Sequence, residues 1–309
     1  MRILLTGGAG FIGGHTAEAL AAAGHETLAL DDLSTGRAQN LTIAPLEHAD
    51  VRDREAVLAA FRRFRPEAVL HLAAVVSVPR SVAEPLMAHT INVDGLAATL
   101  EAARETAVRR FVFASSAAVY GPQPRLPSQE DDPLDPVSPY AAQKAAGELI
   151  ARAYRAAYGI ETVALRYFNV YGERQRADDA YAGVIARFVE TLAAGRPATI
   201  WGDGSQTRDF IHVADVARAN VAALCGPDPG PAPINIGSGA ALSVRQLHTL
   251  IAGLLGAPDT PTFAPDRAGD VPHSRAAIDR MQQRLGVQPC LSMEDGLARL
   301  ISWQQQAQA

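Results

Sequence analysis

The sequence predicts an α/β fold, a doubly wound parallel sheet followed by a smaller C-terminal lobe. Three observations carry this expectation. Short apolar runs alternate with longer segments of helical periodicity from the first residues to about Arg166. The first strand-like run, Arg2-Ile3-Leu4-Leu5, is joined to the first helical segment by a glycine-rich turn. Beyond Arg166 the alternation lapses, and Pro197, Gly202, Gly204, Pro227, Pro229, Pro231 and Pro233 punctuate short elements. The expected division is an N-terminal unit at 1–168, joined by a returning strand near 233–237, and a second lobe made mainly of 169–309.

The turn reads Thr6-Gly7-Gly8-Ala9-Gly10-Phe11-Ile12-Gly13. It satisfies Gly8-x-Gly10-x-x-Gly13 and also Gly7-x-x-Gly10-x-x-Gly13. One glycine permits a tight turn, one lets backbone approach a pyrophosphate, and one lets the helix pack close to the strand. Phe11 and Ile12 then open a helix whose unpaired N–H groups and positive dipole end attract phosphate. A glycine pattern alone is weak. Here it lies between a strand and a helix, and the second strand, His25 to Leu30, ends in Asp31, 18 residues past Gly13. An acidic residue there accepts hydrogen bonds from the ribose hydroxyls of NAD. The unit is therefore read as the NAD-binding half of a Rossmann sheet.

The remaining elements follow in order. A third strand ends at Glu47-His48-Ala49-Asp50-Val51. A helix begins at Arg52-Asp53 and runs to Phe64, with Val57, Leu58 and Phe61 inward, and Pro66 stops it. Ala68 to Leu72 is the fourth strand, and Ala73-Ala74 leave its carboxyl end, the edge where open α/β sheets bind ligands. Glu84 to Glu105 reads as one long helix, with Asn92 near its middle. Arg110 to Ala114 is the fifth strand and delivers Ser115-Ser116 to the same edge. Pro122 to Pro139 is a proline-rich acidic connection. A second long helix runs from Ser138 to Tyr158, and Ile160 to Arg166 forms the sixth strand.

Composition bounds the function. The 309 residues are 48% hydrophobic and 20% charged, enough for a sizeable core and a second lobe. A net charge of -5 without a basic tract argues against nucleic acid as partner. The two cysteines, Cys225 and Cys290, suggest neither a disulfide framework nor a metal cluster. No apolar run reaches membrane-spanning length, and the chain enters its first strand at once, so the expected location is the cytoplasm with no membrane partner.

The chemistry concentrates in Tyr140-Ala141-Ala142-Gln143-Lys144, which puts a phenol and an ammonium four residues apart on one helix face. A phenol with pKa near 10 is a poor base at neutral pH, and a nearby cation favours its phenolate. A serine hydroxyl at the end of the fifth strand can bridge a substrate hydroxyl and the tyrosine oxygen. Ser116 fills that position, with Ser115 as the competing candidate.

These segments together resemble the extended short-chain dehydrogenase/reductases, and most closely their nucleotide-sugar 4-epimerase branch, the UDP-glucose 4-epimerase type. The resemblance rests on the glycine turn, Asp31, His71-Leu72-Ala73-Ala74, Ser115 through Gly121, Tyr140-x-x-x-Lys144, and Arg166 through Gly172. It continues through Trp201-Gly202-Asp203-Gly204, Arg208 through Val213, and Arg267-x-Gly269-Asp270, covering essentially the whole chain. It implies NAD as cofactor, a UDP-sugar as substrate, and a C-terminal lobe that binds it. Tyr140 would act as base with Ser116, and Lys144 would hold the nicotinamide ribose. Asp50 and Val51 match positions beside adenine, while Ala73, Ala74 and Asn92 match the cofactor region. Asn169, Arg208 and Arg267 match positions that hold the diphosphate, a task suited to arginine's planar fork. Trp201 matches a uracil-side position, although a lobe-interface aromatic accounts for it equally well. The resemblance also implies a homodimer through the two long helices. Their alanine-rich stripes would otherwise face solvent or be covered by the second lobe.

Two departures from the pattern matter. Val76 replaces a lysine that some family members carry near the cofactor. Ser274 stands where some epimerases place a bulky residue around the sugar, so the N-acetyl forms are expected as substrates alongside UDP-glucose and UDP-galactose. Ala117-Ala118 lack the acids that nucleotide-sugar 4,6-dehydratases and UDP-glucuronate decarboxylases use after the fifth strand. A UDP-uronic acid 4-epimerase is the nearest rival, and a non-catalytic NAD-binding sensor or scaffold is the rival of another class.

Overall fold

In the computed structural model, which describes residues 1–123, 125–175, 183–266 and 271–308, the chain enters through β1, Arg2–Thr6, and turns into α1, Phe11–Ala22. β2 (Glu26–Asp31), β3 (Leu46–His48), α2 (Arg54–Phe64) and β4 (Ala68–His71) follow. Asp53 caps α2 by accepting from the N–H groups of Glu55 and Ala56 at 3.1 and 3.0 Å, so the helix begins one residue after its acidic cap. The third strand ends at His48. Asp50 and Val51 lie in the turn after it rather than within it.

The stretch expected as one helix from Glu84 is more broken. α3 (Val78–Ala83) comes first, and Pro85 restarts the chain as α4 (Pro85–His89). A π turn at Thr90–Asp94 then leads into α5 (Gly95–Glu105). The wider turn directs Asn92 inward, where it is 3% exposed. β5 (Arg110–Ser116), α6 (Pro139–Tyr158, capped by Ser138) and β6 (Glu161–Tyr167) complete the alternating region.

The second half introduces β7 (Asn169–Tyr171), α7 (Val184–Ala193), β8 (Thr199–Trp201), β9 (Thr207–Arg208), β10 (Phe210–His212) and α8 (Val213–Cys225). β11 (Ile234–Ile236), β12 (Leu242–Ser243), α9 (Val244–Leu255), β13 (Thr262–Ala264), α10 (Asp279–Leu285) and α11 (Met293–Gln308) follow.

The main sheet has the order β11-β6-β5-β4-β1-β2-β3, with every pair parallel. The order reverses between β1 and β4, the crevice where doubly wound sheets bind dinucleotides. The sheet is doubly wound because each face needs apolar cover. One face packs Ile3, Leu5, Leu70 and Val112 against α1 and α8. The other packs Leu4, Val69, Phe111 and Phe113 against α2 and α5. A separate core joins α7, α9 and α11 through Phe188, Leu192, Leu247, Ile251, Leu297 and Leu300. It carries the short pairs β10–β7, β12–β9 and β13–β8. Among the described residues no helix is long and apolar enough to cross a membrane.

Candidate active site

The glycine turn is built by contacts that leave no space for side chains. Gly7 has φ +66, and a Cβ there would lie 2.7 Å from the Ala73 nitrogen, which brings the end of β4 against the turn. A Cβ on Gly13 would meet the carbonyl oxygens of Gly8 and Gly7 at 2.5 and 2.7 Å, so α1 sits flush on the loop. Gly10 is the N-cap of α1 and offers no side chain to its first turn, where no acidic residue stands either. Phe11 and Ile12 are partly exposed there. This uncapped helix end in a cradle of bare backbone fits the pyrophosphate of a dinucleotide.

Asp31 ends β2 and is 6% exposed. Its carboxylate accepts from Ala9 N–H at 2.9 Å and Leu33 N–H at 2.8 Å, which ties the loop to the second strand. Burial pushes its pKa up, and those two N–H groups pull it back. Asp50 is committed differently. Arg52 donates to both its oxygens, with Nη2 at 2.5 Å, and holds the carboxyl below its ordinary range. Val51 is buried against Gly95 at the start of α5.

Ala73 and Ala74 leave β4 half-buried. Asn92 fixes the loop that follows, accepting from Val75 N–H at 2.7 Å and donating to Val75 O at 3.1 Å and Gln143 Oε1 at 2.7 Å. The π turn thus bolts the exit of β4 to α6, beside Lys144. Val76 is 66% exposed.

Strand alternation separates the two serines at the end of β5. Ser115 is buried and donates to Glu148 Oε1 at 2.5 Å. Ser116 caps the short turn Ala117–Tyr120, its Oγ accepting from Ala118 N–H at 3.2 Å, and lies beside the Tyr140 phenol. Tyr140 is 8% exposed. Burial pushes its pKa up, and the Ser116 contact pulls it down.

Lys144 is buried and donates to the Ala114 carbonyl at 2.7 Å. Its Nζ lies 5.9 Å from the Tyr140 ring centroid and 5.0 Å from that of Phe113. The expectation that Lys144 lowers the Tyr140 pKa needs correction. The ammonium faces the strand end, burial outweighs the help the phenol receives, and that help comes from Ser116. Burial pushes Lys144 itself down to about 7, and Glu148 pulls it back up.

The other predicted positions gather on the second half. Asn169 on β7 donates through Nδ2 to the Asp209 carbonyl at 3.0 Å. Arg208 on β9 donates to the carbonyls of Thr207 and Pro272 at 2.9 and 3.2 Å. Ser274 runs alongside, its N–H donating to Thr207 O at 3.1 Å, and its Oγ is buried without a hydrogen-bond partner. Trp201 ends β8 and is 39% exposed, so it is not a core aromatic. Arg267 lies outside the described residues.

Two groups escaped the sequence reading. Glu148 lies one further four-residue step along α6 from Lys144, a spacing that was visible. Asp209, fully buried, accepts from Ser238 N–H and Oγ, Gly239 N–H and Ala276 N–H at 2.7–3.0 Å. It clasps three segments together behind Asn169, and its place next to Arg208 was the only signal.

Comparison with known proteins extends these observations. The pattern that defines the NAD dependent epimerase/dehydratase family matches residues 3–237. A UDP-glucose 4-epimerase from Mycolicibacterium smegmatis is 44% identical over 98% of each chain. Among solved structures, a UDP-glucose 4-epimerase from Thermotoga maritima, determined with UDP-glucose, superposes with a TM-score of 0.96 at 36% identity over 100% of both chains. A UDP-N-acetylglucosamine 4-epimerase from Methanobrevibacter ruminantium, in complex with UDP-N-acetylmuramic acid, gives 0.94 at 34% identity, covering 99% of this chain and 98% of its own.

Proposed function

The chain belongs to the NAD dependent epimerase/dehydratase family, and from that premise we propose that it is an NAD-dependent 4-epimerase of UDP-hexoses. It interconverts UDP-glucose and UDP-galactose, and also their N-acetyl forms, through a 4-keto intermediate. The observation that carries this reading is the meeting of Ser116 and Tyr140 beside Lys144 at the carboxyl end of β5. Ala117-Ala118 follow, and they can neither add nor remove a proton at a neighbouring carbon.

The turn Gly7–Gly13 with the N–H groups of Phe11 and Ile12 would hold the pyrophosphate of NAD, and Asp31 the adenosine ribose. A carboxylate at that position disfavours a 2′-phosphate, which selects NAD over NADP. Asp50 and Val51 would border adenine. Ala73, Ala74 and Asn92 would shape the wall toward the nicotinamide, and Lys144 would hold its ribose. Bound NAD would supply a reversible hydride acceptor for the sugar C4 and a positive charge near the phenol.

The remaining work belongs to the protein. Ser116 holds the sugar 4-hydroxyl next to the Tyr140 oxygen, and Tyr140 takes the hydroxyl proton and later gives it back. Such a positioned group contributes roughly 10²–10⁴-fold. Asn169, Arg208 and Arg267 would bind the diphosphate, with Trp201 beside uracil. Ser274, small and with its Oγ buried without a hydrogen-bond partner, puts no bulky side chain in the way of an acetamide.

The functional division is an NAD-binding unit at 1–168, completed by the strand at 233–237 and by α8 and α10, which share its core, and a sugar-nucleotide lobe made mainly of the rest of 169–309. The protein works as a cytoplasmic homodimer. Ala142, Leu149, Ala153 and Ala156 form an exposed stripe on α6 that a second copy would cover. Chromatographic product analysis with UDP-glucose, UDP-N-acetylglucosamine and UDP-glucuronate tests the whole reading. The first two should each equilibrate with the 4-epimer and the third should not. Inertness toward all three would refute it.

A further inference from the structure

α6 meets the end of β5 through three residues at four-residue steps. Tyr140 faces Ser116. Lys144 donates to Ala114 O at 2.7 Å, and Glu148 accepts from Ser115 at 2.5 Å. Gly147 makes the close approach possible, since a Cβ there would lie 2.5 Å from the Phe113 ring. Glu148 is held from the next strand as well. Arg166, register partner of Ser115 on β6, donates to both its oxygens at 2.9 and 2.7 Å. The second arm of Arg166 reaches Tyr120 Oη at 2.9 Å and Glu130 O at 3.0 Å.

The two side chains of this ion pair are 9% and 4% exposed. Buried ion pairs are a poor route to stability, because desolvating both charges offsets their attraction and an apolar pair often does as well. The position suggests a different use. Three titratable groups bear on Lys144: Tyr140 and Glu148, each four residues away on its own helix, and His71 on β4, which shares its electrostatic surroundings. The Phe113 ring faces it from β5, and Arg166 on β6 is bound to Glu148. His71 is neutral near pH 7, its pKa pushed to about 3 by burial and by Lys144. Of these groups, Glu148 alone supplies negative charge at neutral pH.

We propose that Glu148 is a positioning residue of the reaction. Through Ser115 and Arg166 it fixes the register of α6 on β5, and its charge keeps Lys144 an ammonium beside Tyr140. This rests on the roles proposed above for Tyr140 and Lys144. The sign of the pH effect follows from linkage. Lys144 holds its proton less tightly in the folded chain, with a pKa near 7 against an ordinary 10.5. Between those values the unfolded chain carries more protons, so stability rises with pH. Glu148 favours only the charged form, so its removal costs most below about pH 7 and least above it.

The test compares Glu148→Gln with wild type in two readouts. The gap in Tm should be larger at pH 6 than at pH 9, on top of a constant loss from the broken Arg166 pair. The alkaline limb of the kcat profile should move down by about one pH unit, with KM for UDP-glucose changed less than about two-fold. Because Glu148→Gln strands a buried guanidinium, the same measurements are made on Glu148→Gln/Arg166→Met, whose packing is repaired but whose alkaline limb should stay displaced. A Tm gap constant across the range, with the alkaline limb unmoved, would reduce Glu148 to a structural residue and overturn the proposal. The Tm readout needs no turnover, so it stands apart from whether wild type converts UDP-glucose.

Discussion

The carboxyl edge of the large sheet and the strip formed by β7, β9 and residues 271–275 are built differently. At the sheet edge the candidate groups are held by protein partners on regular elements. Asp31 is tied to Ala9 and Leu33, Asn92 to Val75 and Gln143, and Lys144 to Ala114. Along the strip the strands are two or three residues long, Asn169 and Arg208 donate to backbone carbonyls, and Ser274 Oγ is buried without a partner. A reacting centre needs its groups held within a fraction of an ångström, which rigid elements provide. Substrate choice needs a wall that can change without unfolding the site, and short strands with unspent polar atoms suit that.

Changes at the edge should abolish function, and changes along the strip should redirect it. Tyr140→Phe removes only the proton-carrying oxygen and should lower turnover roughly 10²–10⁴-fold while calorimetry still shows NAD binding. Activity within a few-fold of wild type would remove Tyr140 from the mechanism. Gly13→Ala places a methyl against two backbone carbonyls that cannot step aside. It should cost about 1–3 kcal/mol of stability and weaken NAD binding, read as a fall in Tm and a raised Kd. An unchanged Kd would mean that the turn does not seat the cofactor.

Along the strip the expected effect is smaller and selective. Ser274→Tyr should overpack the pocket around the sugar C2 substituent by about 1–3 kcal/mol, depressing turnover of N-acetyl sugars while UDP-glucose is still converted. Equal losses on both substrates would sink the idea that this residue sets size. Smallest in its effect on chemistry, Leu149→Glu should leave the fold intact and, if the proposed dimer forms through α6, lower the mass seen in light scattering to that of one chain, because Leu149 is 64% exposed.

The same contrast explains what the sequence disclosed. The glycine turn, Asp31 and the Tyr140–Lys144 pair are local patterns, in which spacing alone fixes neighbours. Glu148 continued the same four-residue series, but its meaning depended on Ser115 and Arg166, which only the sheet register brings to it. Asn92 was visible mid-helix, yet the π turn that swings it inward leaves no mark in apolar periodicity. The stretch from Glu84 looked continuous because Pro85 at a helix start differs little, in sequence, from proline tolerated in a first turn. β7, β9 and β12 are too short for any alternation to register. The meeting of Ser274 with Thr207 joins segments that are distant in the chain, and Asp209 gained its role only when three segments closed around it.

The central claim is that hydride leaves the sugar C4 and returns to the same carbon while Tyr140 carries the hydroxyl proton. It is tested most directly with UDP-glucose deuterated at C4. The account predicts UDP-galactose that retains deuterium at C4, with no net conversion of NAD to NADH. Product that has lost the label to solvent, or label that stays in unconverted UDP-glucose after long incubation with the NAD-loaded protein, would contradict it.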